Sequence, residues 1–258
     1  MTNTNHITKT KSKSKSKQLL GIFTLTIMST WALATNWNVE PLRVDLSPIH
    51  KTAVLTITNS SDQPSTVQIL SYIWSQDMGK DEMVLTRELL VTPPIVTIPA
   101  KSSQVVRMAL RVKADKSKEL SYRVNLQEIP SPNPNKEKNA GGVQVAMRVG
   151  IPVFVQPQGQ KAVSKLSWRA TAAPENMIKL ELINEGTAHI KVTDLILSTI
   201  GSEVKVAQDS GASYVLPGQT HTWMLKPITS AKVEEEHLHL LAYTDAVDLD
   251  TVIFVDKP

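Results

Sequence analysis

The side chains that could do chemistry are few and scattered. Six histidines and no cysteine occur in 258 residues. That removes thiol nucleophiles, disulfides and Cys-ligated zinc together. The one metal-like cluster is Glu234-Glu235-Glu236-His237-Leu238-His239. On a strand, His237 and His239 would share a face and could hold one ion. The plainer reading is a charged loop running into a strand with a solvent-facing histidine pair. His50, His189 and His221 stand far apart, and no triad can be assembled around them. There is no Gly-x-Ser-x-Gly elbow and no glycine-rich phosphate loop; the chain has ten glycines. The reading is therefore not an enzyme, with no cofactor, no metal and no small-molecule substrate. The five tryptophans read as core and cleft packing rather than a ligand platform.

The formal net charge is +4 at pH 7, but it is unevenly spread. Five of the 28 basic residues (Lys9, Lys11, Lys13, Lys15, Lys17) lie in residues 1–34 beside no acid, leaving 23 against 24 acidic ones, a net of −1. No case for a nucleic-acid partner remains. Residues 1–34 instead read as an export signal. A lysine-rich start precedes an apolar run from Leu19, about fifteen residues long, and a small-residue site at Ala32-Leu33-Ala34. A membrane anchor is the alternative, but the run is short for spanning. Cleavage after Ala34 would leave an exported chain of about 224 residues that folds without disulfides. With 41% hydrophobic and 20% charged residues, two domains can each bury a core.

The elements after residue 35 are strands rather than helices. Alternating or β-branched segments run at Trp37–Leu46, Thr52–Thr58, Thr66–Trp74, Val84–Val91, Gln104–Val112, Tyr122–Ile129 and Val143–Val155. Pro93-Pro94 interrupts them. Seven strands at this spacing predict an immunoglobulin-like β-sandwich over 35–156. Gln156-Pro157-Gln158-Gly159-Gln160 reads as a hinge. A second sandwich over 161–258 follows from weaker segments at 165–170, 177–183, 190–197, 203–207, 221–225, 238–243 and 251–255. Turns at Asn184-Glu185-Gly186 and Leu216-Pro217-Gly218-Gln219 separate some of them. The fold class is all-β, two sandwiches joined by a short hinge.

Two segments stand out. Residues 131–142 form a long, proline-rich, charged loop, of a length often functional or disordered. The strand after it places Val143, Val145, Met147, Val149, Ile151 and Val153 on one face, and Gln144, Ala146, Arg148, Gly150, Pro152 and Phe154 on the other. Pro152 has no N–H, which suits an edge strand. A long apolar edge is normally blunted by charge. Here the apolar face either fills its own core, as in any sandwich strand, or is offered to a partner by β-strand addition.

Three motifs in order carry a resemblance. They are Pro93-Pro94-Ile95-Val96-Thr97-Ile98-Pro99-Ala100 with Gln104-Val105-Val106-Arg107, Tyr122-Arg123-Val124-Asn125-Leu126-Gln127-Glu128-Ile129-Pro130, and Arg148-Val149-Gly150-Ile151-Pro152-Val153-Phe154. The chain resembles the periplasmic PapD-like chaperones of the chaperone–usher pathway over nearly all of residues 36–256. The Pro152-Val153-Phe154-Val155 ending and Arg123 look more like the archaic, Csu-like branch.

The resemblance implies a boomerang of two domains in the periplasm that captures pilus subunits and delivers them to an outer-membrane usher. Its last strand would complete the subunit's unfinished sandwich, with Val143, Val145, Met147, Val149 and Ile151 as donor-strand residues. A basic pair would anchor the subunit's C-terminal carboxylate in the cleft. Arg43 matches the family's arginine, whereas its lysine position falls on Gly150, and Arg123 is the candidate replacement. For either arginine the alternative is a surface or interdomain ion pair. Glu128 matches an acidic residue whose usual arginine partner is Gln156 here, so the interdomain pair is expected to be rewired, with Arg148 and Asp248/Asp250 as candidates. Self-association of the free form is left open. A structural pilus subunit or adhesin, and an exported β-sandwich enzyme or metal binder, are the competing classes.

Overall fold

The computed structural model describes Met1 and residues 37–130, 146–201, 204–228 and 237–257. The export signal, the proline-rich loop, Val143, Val145 and the Glu234–Glu236 run lie outside the described residues. No described helix is long and apolar enough to cross a membrane.

The first domain runs β1 (Trp37–Glu40), β2 (Val44–Leu46), β3 (Thr52–Asn59), β4 (Ser65–Asp77), β5 (Lys80–Leu85), β6 (Leu89–Thr92), β7 (Ile95–Ile98), β8 (Ser102–Leu110), β9 (Leu120–Ile129) and β10 (Arg148–Val155). One sheet is ordered β1-β3-β8-β6 and the other β2-β10-β9-β4-β5, with β7 also against β4. Period-2 alternation produces this packing: Leu55 and Ile57 of β3, Val67 and Ile69 of β4, and Val124 and Leu126 of β9 are all fully buried between the sheets.

Three expected segments differ in detail. Trp37–Leu46 is two strands, because the chain crosses from one sheet to the other at Pro41–Arg43. Val84–Val91 is also two strands, parted by Thr86–Glu88. The proline pair 93–94 ends β6, and Ile95–Ile98 then forms a further strand in the opposite sheet. The β4–β5 hairpin turns on Met78 and Gly79, both left-handed at φ 48° and 77°. That is the backbone a two-residue hairpin loop requires.

The second domain runs β11 (Leu166–Ala173), β12 (Met177–Asn184), β13 (Ile190–Thr199), β14 (Lys205–Asp209), β15 (Ser213–Val215), β16 (Thr220–Leu225), β17 (His237–Thr244) and β18 (Leu249–Asp256). Here β11, β12 and β16 face β13, β14, β15, β17 and β18 across a core that includes Leu180, Leu182, Leu197, Leu238 and Leu240. Ala170 and Thr171 of β11 pair with Val255 and Asp256 of β18 and so join the two layers. The three-residue β15 had no sequence pattern long enough to mark it.

Both domains use the same device at one strand end. Asn59, at the end of β3, donates to the carbonyls of Gln63 and Ile98 and accepts from the Ser61 amide. Asn184, at the end of β12, donates to Ala188 and Val215 and accepts from the Gly186 amide. Each is wholly buried. Gly186 has no substitute, since a Cβ there would lie 2.4 Å from the Lys165 nitrogen.

Candidate functional site

The last strand of the first domain is half an edge. β10 pairs antiparallel with β9 along its whole length, from Arg148 opposite Gln127 to Val155 opposite Leu120. On its other side β2 runs parallel to it, but only at Val153–Val155. Among the described residues, Arg148–Pro152 have no strand on that side. The apolar face of β10 serves its own core. Ile151, Val153 and Val155 are fully buried there, and Met147 and Val149 pack against the same cluster while half-exposed. For Ile151, what faces outward is the backbone edge rather than the side chain.

The opposite face of this sheet carries the polar groups. Pro152 lies opposite Arg123 on β9, and Val153 opposite Val44 on β2. Extending the β2 register by one residue puts Arg43 beside Pro152. Arg43, Pro152 and Arg123 thus form one cross-strand row, with the two arginine backbones about 10 Å apart. Gly150 explains why only one long side chain fits here. A Cβ on it would lie 3.1 Å from Asn125 Oδ1 and 3.2 Å from Arg123 Cδ, so the Arg123 stem already fills the space a residue at 150 would use.

The two arginines are in different electrostatic states. Arg43 Nε donates to Asp45 at 3.1 Å, and Nη1 donates to Asp245 of the second domain at 2.7 Å. Burial opposes its charge, but Asp45 and Asp245 outweigh it and raise its pKa. The Arg123 guanidinium carbon lies over Trp74, 3.9 Å from the ring centre. The one ion pair of Arg123 among the described residues is a long 3.4 Å contact from Nη1 to Asp81. Burial lowers its pKa, and Asp81 only partly offsets this. Its Nε is buried without a hydrogen-bond partner. Arg123 therefore keeps free donors, while Arg43 is already matched by two carboxylates.

Arg123 lines a cavity of about 300 Å³ between the domains, walled by Trp74, Gln76 and Asp81 of the first and by Ser213, Tyr214 and His221 of the second. Trp74 Nε1 and His221 Nδ1 are also buried and unpartnered. Three residues of one cavity thus hold unused side-chain nitrogens. Burial lowers the His221 pKa, so its ring is neutral. A buried, unpaired donor is costly, and each of these nitrogens is covered by the protein around it.

Below the cavity the domains are joined by an ion relay. Glu119, whose side chain is fully buried, accepts from His189 Nδ1 at 2.6 Å, from the His189 backbone amide at 2.9 Å and from Gln156 Nε2 at 3.1 Å. His189 Nε2 lies 3.5 Å from Asp245, which also takes the Lys191 amide and Arg43. Both ring nitrogens thus face carboxylates. Burial disfavours the imidazolium, but Asp245 and Glu119 outweigh it and hold the His189 pKa above its ordinary value. For Asp245 the effect of burial is reversed by His189, the Lys191 amide and Arg43, and its pKa is lowered. Phe154 stacks flat on His189 with centroids 3.4 Å apart, and joins Trp74 and Leu216 in a small apolar cluster.

This corrects the expected interdomain pair. Gln156 meets Glu119, not Glu128, which instead accepts from Ser65 and the Met147 amide. Asp248 binds the Thr244 amide in its own turn, and Asp250 binds His239. Glu119, His189, Gln76, Asp81 and Tyr214 were not singled out by sequence as site residues. Only the Asp77-Met78-Gly79-Lys80 turn, which sets Gln76 opposite Asp81, could have pointed to one pair. Of the metal-like cluster, His237 meets Phe254 edge-on and His239 pairs with Asp250, while Glu234–Glu236 lie outside the described residues.

Residues 36–161 match the family described as pili and flagellar-assembly chaperone, PapD N-terminal domain. That match takes in just under half of the chain, and the relatives the chain resembles are fimbrial chaperones. The chain is 30% identical over 146 residues to the chaperone protein MrkB of Klebsiella pneumoniae, a stretch covering 54% of this chain and 60% of that protein. It is 26% identical over 213 residues to the uncharacterized fimbrial chaperone YhcA of Escherichia coli, covering 83% of this chain and 88% of that one. The fold is similar to that in the CsuC–CsuE chaperone–tip adhesion subunit pre-assembly complex of Acinetobacter baumannii, with a TM-score of 0.62 at 20% identity, over 87% of this chain and 100% of that one. It is also similar to the Salmonella enterica SafA pilin–SafB chaperone complex, with a TM-score of 0.59 at 16% identity, over 85% and 97% of the two chains.

Proposed function

We propose that this chain is a non-enzymatic periplasmic chaperone that captures pilus subunits and hands them to an outer-membrane usher. The observation that carries the reading is the edge of β10 at Arg148–Pro152, which has no strand beside it among the described residues and ends near Arg123. A segment added to that edge lies in the file that β2 occupies further on. To end in a carboxylate at Arg123 it must run in the direction of β10, toward the cleft, because Arg123 stands opposite Pro152 near the cleft end. Backbone hydrogen bonds along the edge then hold the segment, and the half-exposed Met147 and Val149, with Val143 and Val145 before them, meet its side chains. Arg123 is the principal anchor for the terminal carboxylate, and Arg43 closes the row. The Arg123 anchor and the Pro152–Val155 ending favour the archaic, Csu-like branch.

Co-expression with the subunits encoded beside its usher tests this. A one-to-one chaperone–subunit complex is expected in periplasmic extracts. Arg123→Ala and Met147→Asp should each cut its yield at least severalfold, the latter because a carboxylate buried without a partner costs several kcal/mol. Failure of every such subunit to co-purify with the unaltered chain refutes the proposal.

A further inference from the structure

We propose that Asp81 is the chain's own placeholder carboxylate. It occupies Arg123 in the free protein and is displaced when the carboxylate terminus of an extended ligand enters the cavity between the domains. This rests on the capture reading above and adds a competitor at the same site.

Three features of the geometry support it. First, the Asp81–Arg123 contact is single and 3.4 Å long, whereas well-made guanidinium–carboxylate pairs are shorter and often twofold. The guanidinium is positioned over Trp74 instead, so it stays in place when Asp81 leaves. Second, Asp81 has somewhere to go. Its Oδ1 accepts from Gln76 Nε2 at 2.9 Å, and its side chain is 40% exposed. Oδ2 can turn to water while Oδ1 stays bound. Gln76 itself is fixed to the second domain, donating to the Tyr214 carbonyl and accepting from the Leu216 amide, each at 2.9 Å. Third, the Arg123 guanidinium lines the cavity and meets Asp81 through Nη1 alone, which leaves its other terminal nitrogen for an incoming carboxylate. The neighbouring arginine offers no alternative vacancy, since Asp45 and Asp245 already match Arg43.

The placeholder also offsets a desolvation cost. A half-buried cation without a partner is costly, and a weak internal partner relieves this without closing the site to a better one.

The test uses the full chain and a fluorescent peptide of alternating apolar and polar residues, labelled at its N-terminus, ending in a free carboxylate or in an amide. Polarisation titrations compare the unaltered chain with Asp81→Asn, Asp81→Ser, Arg123→Gln and the double variant Asp81→Asn/Arg123→Gln, each checked for an unchanged unfolding midpoint. Both Asp81 variants should bind the acid peptide about three- to fivefold more tightly, the scale of a partly exposed ion pair. They should bind the amide peptide unchanged, and the gain should vanish in the double variant. Equal binding of acid and amide by the unaltered chain, or no binding of either, overturns the capture reading itself. A preference for the acid that Arg123→Gln abolishes, but that the Asp81 variants leave equal or diminish, overturns the placeholder alone and makes Asp81 a support for Arg123.

Discussion

Replacing His189 by alanine tests whether the joint between the domains is held by a charged ring. The side chain of Glu119 is wholly buried. Removing one member of a buried ion pair costs about 3–5 kcal/mol when the remaining charge has no other partner. Here the amide of residue 189 and Gln156 Nε2 stay in place, and hydrogen bonds to a charged group recover part of the loss, so the electrostatic cost falls to about 2–3 kcal/mol. Losing the ring that stacks on Phe154 adds about 0.5–1 kcal/mol. A total near 3 kcal/mol lowers Tm by about 6–12 °C for a chain of this size. Scanning calorimetry of His189→Ala, Glu119→Gln and the double variant measures it. If the ring serves as counter-ion to Glu119, the double variant should lose less than the two singles together, because a neutral amide needs no cation. The pH dependence has a definite sign. His189 has a folded pKa above its ordinary 6.5, so its stabilisation is complete below that value and fades as pH rises through the folded one. Asp245, depressed from 3.8, stabilises above its ordinary value, and that contribution is lost only as pH falls through the depressed one. The advantage of the unaltered chain over His189→Ala should therefore shrink toward alkaline pH. A loss under about 0.5 kcal/mol, within the range of an ordinary surface change, or strict additivity with Glu119→Gln, refutes the relay.

Two further substitutions probe the site and the scaffold separately. Gly150→Leu places atoms where the Arg123 stem lies. It should cost about 1–3 kcal/mol by overpacking and lower subunit co-purification beyond what that loss explains; full yield with Arg123 still on Trp74 would show that the space is not shared. Asn184→Ala strips the Ala188 and Val215 carbonyls and the Gly186 amide of their partner. It should destabilise the second domain by about 2–4 kcal/mol in urea unfolding, and a change below about 1 kcal/mol would mean that water replaces the amide there.

The sandwiches were legible because a strand writes its burial into its own sequence. Met177–Asn184 alternates half-buried and buried residues without a break, and a period of two needs no knowledge of the partner. Family motifs drew attention to Arg43, Arg123 and Gly150, and the strand registers bring the three together along β10. The relay was not. Glu119 follows Ser117-Lys118 in what reads as a polar turn, and His189 lies 70 residues further on, so no local pattern links them. Gln76 and Asp81 look like outward polar positions of a hairpin, and they are. Only the second domain, seated on that outward face, turns them into walls of a cavity. Phe154 was assigned to the face opposite the core, and that face proved to be an interface instead of solvent.

If β10 takes a strand as proposed, its free edge is too short to choose a register unaided. Among the described residues no strand pairs with the five residues from Arg148 to Pro152 on that side, and Pro152 has no N–H to give. Each backbone hydrogen bond contributes only about 0.5–1.5 kcal/mol net. A slip of two residues keeps every side chain on its face, so alternation cannot reject it. A charged point at one end can. With Arg123 opposite Pro152, a segment slipped by two residues carries its terminal carboxylate about 7 Å along the strand, out of reach of the guanidinium. On this reading β2 completes the division of labour. By covering Val153–Val155 it stops the incoming segment at the row of Arg43 and Arg123, so the same short strand that seals the core also sets where a ligand must end.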